Sequence, residues 1–106
     1  MIITNRSHVQ FRGVVCVRTF DYYATKSGAV KCRVTYTPIK RELRHLRGHE
    51  TVQLLNLALV DNVQSALIFL GLQLEDSPAA ELFAALASST LDASDDATCI
   101  IDYLNA

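Results

Sequence analysis

The sequence predicts an α+β fold, with a small antiparallel N-terminal sheet (a hairpin over about 13–36) followed by a C-terminal layer of about four helices. Three observations predict it. Residues 9–36 are rich in β-branched and aromatic side chains, and AVKCRVTY alternates with a period of two. From residue 37 onward the apolar spacing turns helical. No internal repeat and no linker of dividing length interrupts the chain, so residues 1–106 read as a single domain with one core.

The strands come first. GVVCVRTFDYY and AVKCRVTY flank ATKSG, whose glycine suits a hairpin loop. The segment IIT near the start adds a short third strand. Register decides what accompanies Lys31 and Arg33, because opposed residues share a face and a one-residue slip exchanges the faces. An even loop leaves Arg18, Phe20 and Tyr22 outside with Lys31 and Arg33, an aromatic and basic platform of the kind on which bases stack. An odd loop puts Val14, Cys16, Phe20 and Tyr22 inside, together with Arg18. The second register is favoured, since burying Phe20 and Tyr22 releases more free energy than exposing them.

The helices follow. Thr37-Pro38 is a cap-then-proline start, and Ile39, Leu43 and Leu46 fall on one stripe opposite Lys40, Arg41, Arg44 and Arg47, with Gly48 as the stop. Residues 51–72 read as a longer helix, apolar on most sides, hence either central or part of an oligomer interface. Ser77-Pro78 opens an Ala-rich helix over 78–89, and Ser94 caps a last helix over 95–104.

Charge is the most informative feature. Residues 1–48 hold all ten Lys and Arg against Asp21 and Glu42, net +8, while residues 49–106 hold nine acids and no Lys or Arg, net −9. The chain thus divides into a basic sheet-plus-short-helix part (1–48) and an acidic helical layer (49–106). A split of this kind suggests a partner for at least one part. The basic surface, made of Arg18, Lys31, Arg33, Lys40, Arg41, Arg44 and Arg47, is the first candidate for the contact. An alternative acidic face comprises Glu75, Asp76, Asp92, Asp95 and Asp96, although Asp95 and Asp96 also fall where a helix dipole favours negative charge.

Other constellations carry less. Cys32, His45 and His49 have the spacing of the second half of a Cys2His2 zinc finger, but Cys16 lies too far upstream to complete the first half. No metal or other cofactor is expected. G-x-S-x-G, P-loop, H-E-x-x-H and EF-hand patterns are missing, so the expectation is a non-enzyme. MIITNRSHV has neither a long apolar stretch nor a small-residue cleavage site, and the most apolar run is interrupted by Asn56, Asp61, Asn62, Gln64 and Ser65. Neither a signal peptide nor a membrane partner is expected, and the three cysteines read as reduced thiols of a cytoplasmic protein.

The functional expectation is a small non-catalytic binding protein acting on nucleic acid, or on a nucleic-acid-handling protein complex, through its basic surface. One alternative is a docking inhibitor or adaptor, of the size encoded by mobile elements or phages, that presents the acidic helical face. Another is a self-associating homo-oligomer whose unlike halves pair.

Overall fold

The computed structural model describes residues 1–75 and 77–106, the side chains of 5–7 excepted. Strands β1 (Ile2–Phe11), β2 (Val14–Ala24), β3 (Ala29–Pro38) and β4 (Gly48–Asn56) form one antiparallel meander in the order β1-β2-β3-β4. Arg12 and Gly13 join β1 to β2 with φ of 53° and 79°. Positive φ at both central residues is the two-residue hairpin turn that matches strand twist. Between β2 and β3, Thr25 N–H donates to the Ala29 carbonyl at 2.9 Å and Gly28 N–H to the Thr25 carbonyl at 3.0 Å, with Gly28 at φ 86°. This loop is odd, so Phe20 pairs with Val34, Tyr22 with Cys32 and Arg18 with Tyr36. Phe20 and Tyr22 therefore face inward, as their apolar bulk requires.

Among the described residues three α-helices follow: α1 (Val63–Gly71), α2 (Pro78–Ala87) and α3 (Ala97–Asn105). The Asn62 side chain caps α1 by accepting from Ser65 N–H at 2.9 Å, and Asp96 caps α3 by accepting from Cys99 N–H at 3.1 Å. Their inward residues, including Ala66, Leu70, Leu82, Leu86, Ile100 and Leu104, meet Phe20, Tyr22, Val30 and Cys32 in one core. Each fully buried Leu, Ile or Phe side chain contributes about 1.5–3 kcal/mol. Polar ties fix the docking. The Tyr22 hydroxyl donates to the Pro78 carbonyl at 2.6 Å, and the N-terminal ammonium donates to the Leu104 carbonyl at 2.8 Å. Asn105 accepts from Ala24 N–H at 3.0 Å and donates back to the Ala24 carbonyl at 3.2 Å.

The chain measures 47 × 25 × 21 Å. Ten-residue strands reach about 33 Å, so the sheet supplies the long axis. The helices dock around Met1, Tyr22, Ala24 and Leu55, which all belong to one end of the sheet. The other end, holding the β1–β2 turn and the β3–β4 connection, projects beyond them.

Several expectations are corrected. The segment after Thr37-Pro38 is no α-helix. Pro38 instead ends β3 opposite Cys16, a strand-end position where its missing N–H does no harm, and a 3₁₀ turn over Arg41–Leu46 follows. The long helix expected over 51–72 divides into β4, a short 3₁₀ turn (Leu57–Leu59) and α1. Asn56 and Asn62 set that division, because each side chain accepts a backbone N–H that redirects the chain. Among the described residues the helical layer consequently has three α-helices rather than four, and the last is capped by Asp96 rather than Ser94, because the Asp96 side chain reaches Cys99 N–H. The acidic part of the sequence also contributes an edge strand, so the sheet does not end with the basic part.

Candidate functional site

The projecting end of the sheet gathers five of the ten Lys and Arg side chains. Phe11, the last residue of β1, stacks on Tyr36 of β3 with ring centroids 4.1 Å apart and planes inclined by 1°. The same ring lies over Gly48, where an added Cβ would sit 2.6 Å from Phe11 Cε1. The sheet therefore coils at this end until its two edge strands approach across the inner face. Arg12 continues the stack, its guanidinium carbon 4.9 Å from the Phe11 centroid. Loss of water around Tyr36, reinforced by the Glu50 carboxylate, raises its phenol above the ordinary range.

Against this end packs the 3₁₀ turn. Leu43 N–H donates to the Lys40 carbonyl at 3.0 Å and Arg47 N–H to the Arg44 carbonyl at 3.2 Å. The turn buries none of its residues, so Arg41, Arg44 and Arg47 stand in solvent with Lys40. Together with Arg12 they place five cations around one end, against Glu42 and Glu50. Between the turn and the β1–β2 hairpin opens a groove of about 380 Å³, lined by Gly13, Val14, Val15, Ile39, Lys40 and Leu43. A smaller recess of about 240 Å³ adjoins it, lined by Phe11, Arg12, Val14, His45, Leu46 and Arg47. Ile39 is 43% exposed and Leu46 46% exposed, so the stripe expected to seat a helix instead forms the floor and lip of an open apolar groove with a basic rim.

The seven basic candidates do not share one surface. Lys40, Arg41, Arg44 and Arg47 surround the projecting end. Lys31 and Arg33 lie on the outer sheet face, opposite Tyr23 and Asp21 on β2 and Gln53 and Thr51 on β4. Among the described residues the helices pack on the other face, and this one mixes Thr19, Thr35, Thr51 and Gln53 with Val15, Val17 and His49. Arg18 lies on the inner face, its guanidinium carbon 4.9 Å from the Phe20 centroid. Its Nε is buried without a hydrogen-bond partner among the described residues. Arg18 is thus part of the packing beneath the coiled end. Arg12 escaped sequence reasoning, although its place before Gly13 in an alternating stretch is itself a turn signal.

The acidic candidates are dispersed as well. Asp76 lies outside the described residues. Glu75 follows the C-terminal end of α1, whereas Asp92, Asp95 and Asp96 lie beside its N-terminal end, where Val63 N–H donates to the Asp95 carbonyl at 3.1 Å. Nine helical residues separate those places by about 13 Å. The loop aspartates hold their own backbone. Asp92 N–H donates to the Asp95 carboxylate, and Ser94 donates its N–H and its hydroxyl to Asp92, all at 3.0 Å. The backbone bond from Ser94, then the hydroxyl bond, keep the Asp92 carboxyl below the usual carboxylate range.

Cys32, His45 and His49 do not converge. Cys32 is buried on the inner face of β3, His49 lies opposite Thr35 on the outer face, and His45 is on the exposed turn. Among the described residues no group of three His, Cys, Asp or Glu side chains is placed to hold a metal ion. All three cysteines are free, and burial pushes the Cys32 thiol up to about 11. No described helix is long and apolar enough to cross a membrane. Comparison with protein-family models, curated proteins and solved structures gave no match.

Proposed function

We propose that this chain is a small, non-catalytic binding protein that contacts a polyanion, nucleic acid in the first instance, through its basic end. One observation carries the reading. The fold brings Arg12 from one hairpin beside Lys40, Arg41, Arg44 and Arg47 from the next connection, and leaves them in solvent at the tip of an elongated molecule. Cations concentrated on a projecting end attract phosphates and release counterions when they bind them. The uncovered outer sheet face extends the surface with Lys31 and Arg33 among threonine and glutamine side chains that can donate to phosphate oxygens. Stacking plays a small part, because Phe20 and Tyr22 are buried and Phe11 and Tyr36 stack on each other. The expected preference is therefore for backbone over base, with weak sequence discrimination. A cytoplasmic setting accords with the three free thiols.

The acidic-face alternative draws less support, since its residues are dispersed and three of them cap or brace their own loop. Fluorescence anisotropy with labelled single- and double-stranded oligonucleotides tests the proposal. Affinity is expected to fall steeply as salt rises. In the Arg41→Ala/Arg44→Ala variant the slope of log K against log salt is expected to fall by roughly 1.4–1.8. Absence of binding at low salt would overturn the reading.

A further inference from the structure

Helix α1 is apolar except for Gln64 and Ser65 in its first turn, yet it is not central. Val63, Ala66 and Leu70 are buried, while on the opposite side Ile68 is 61% exposed and Leu72, one turn further on, is 82% exposed. Gln64 and Ser65 share that outer side, so the exposed face is mixed, with Ile68 and Leu72 as its large apolar members. The charges nearest in sequence to this bare face are Asp61 and Glu75, and no Lys or Arg occurs anywhere from residue 48 to residue 106. The flanks of this helix in the sequence are therefore acidic and apolar. The groove at the basic end has the opposite pairing, an apolar floor of Val15, Ile39 and Leu43 under a cationic rim.

We propose that the occupant of the basic-end groove is a second copy of this chain, seated by the Ile68–Leu72 face of its α1. The two surfaces match in both respects that matter for association: apolar side chains meet apolar side chains, and the charges that border them are opposite in sign. Other acidic partners would satisfy the rim, but this chain carries its own complementary patch. The two patches are different surfaces of one molecule, one on the projecting sheet end and one in the helical layer. The contact is therefore heterologous, head to tail, and each copy bound leaves a free groove and a free helix face. This inference goes beyond the polyanion reading and stands without it.

The test is a concentration and salt series by sedimentation velocity, free of nucleic acid, on the full chain and two variants. Ile39→Glu/Lys40→Glu blocks the groove, and Ile68→Lys/Leu72→Lys blocks the helix face. All four positions are exposed, and circular dichroism verifies that each variant folds. The parent chain is expected to gain mass with concentration and lose it with salt. Each variant alone is expected to stay monomeric. An equimolar mixture of the two is expected to form a dimer, twice the monomer mass, and nothing larger, because one intact groove meets one intact face. A parent chain that stays monomeric at every concentration would overturn the inference. So would association untouched by either variant, or a mixture that remains monomeric. Each of these outcomes leaves oligonucleotide binding at low salt to be decided separately, and failure of that binding would not affect the head-to-tail contact.

Discussion

The two ends of this molecule are built differently. At the helical end Phe20, Tyr22, Leu70, Leu82, Ile100 and Leu104 are fully buried, and hydrogen bonds tie the N-terminus and Asn105 to the opposing layer. At the basic end one aromatic stack, a tight turn with arginine at positive φ and a 3₁₀ turn that buries none of its residues hold the chain. Stability is concentrated where the charge is negative or absent. Exposure and positive charge are concentrated where little is packed. A firm core carrying a lightly packed, charged tip is the usual division between scaffold and recognition surface. The charge boundary near Arg47 therefore has a partial spatial meaning: Lys26, on the β2–β3 turn, and Lys31, opposite Tyr23, sit toward the helical end, and Glu50 of β4 sits at the basic end.

The largest expected effect breaks the helical end. Leu82→Ala leaves a cavity among α2, the neighbouring helices and the sheet, and is expected to cost about 2–5 kcal/mol in denaturant unfolding. Smaller and more local is Gly48→Ala. Its Cβ would meet the Phe11 ring at 2.6 Å and push it off Tyr36, at an expected cost of about 1–3 kcal/mol. Hydrogen exchange is expected to speed up in the strand segments around residues 11–14 and 36–48 while protection in α1–α3 stays near that of the parent; uniform acceleration would mean that the two ends are one cooperative unit. Arg12→Asn separates stability from binding. Asparagine tolerates positive φ better than arginine, so unfolding is expected to shift by up to about 1 kcal/mol in favour of the fold. Oligonucleotide affinity falls in the same variant, and unchanged affinity would remove Arg12 from the contact.

The smallest effect at neutral pH concerns Cys32. Burial raises its thiol from the ordinary 9.0 to about 11. The stability it contributes is therefore complete below pH 9 and is lost as pH rises through about 11. Cys32→Ala is expected to flatten that part of the alkaline unfolding profile, and an unaltered profile would place the loss elsewhere, with Tyr22 the next group to test.

Where one physical cause dominated, the sequence was legible. The α+β class, the odd hairpin loop and the inward Phe20 and Tyr22 follow from burial, and α2 opens at Pro78 as expected, whereas the last cap is Asp96, two residues beyond the expected Ser94. Reading failed where two periods fit the same letters. In Thr51–Leu55 the apolar residues satisfy a helical stripe and an alternating strand alike, and the deciding influence is the open edge of β3, which lies twenty residues away in the chain. At Thr37-Pro38 a helix-start signal coincided with a strand end, and the cross-strand partner Cys16 decided. The basic candidates were identified by type, but their separation into the tip, the outer face and the inward-facing Arg18 depends on a register and a coiling that composition does not encode. The groove was invisible for the same reason, since Val14 and Ile39 meet only in three dimensions.

The division between a scaffold end and a recognition end is tested most directly by an amide NMR titration of the folded chain with a short oligonucleotide at low salt. The account predicts shifts confined to the β1–β2 turn, residues 40–49 and the strand positions around Lys31 and Arg33, with α1–α3 unmoved. Shifts centred on the helices, or none at any ratio, would contradict it.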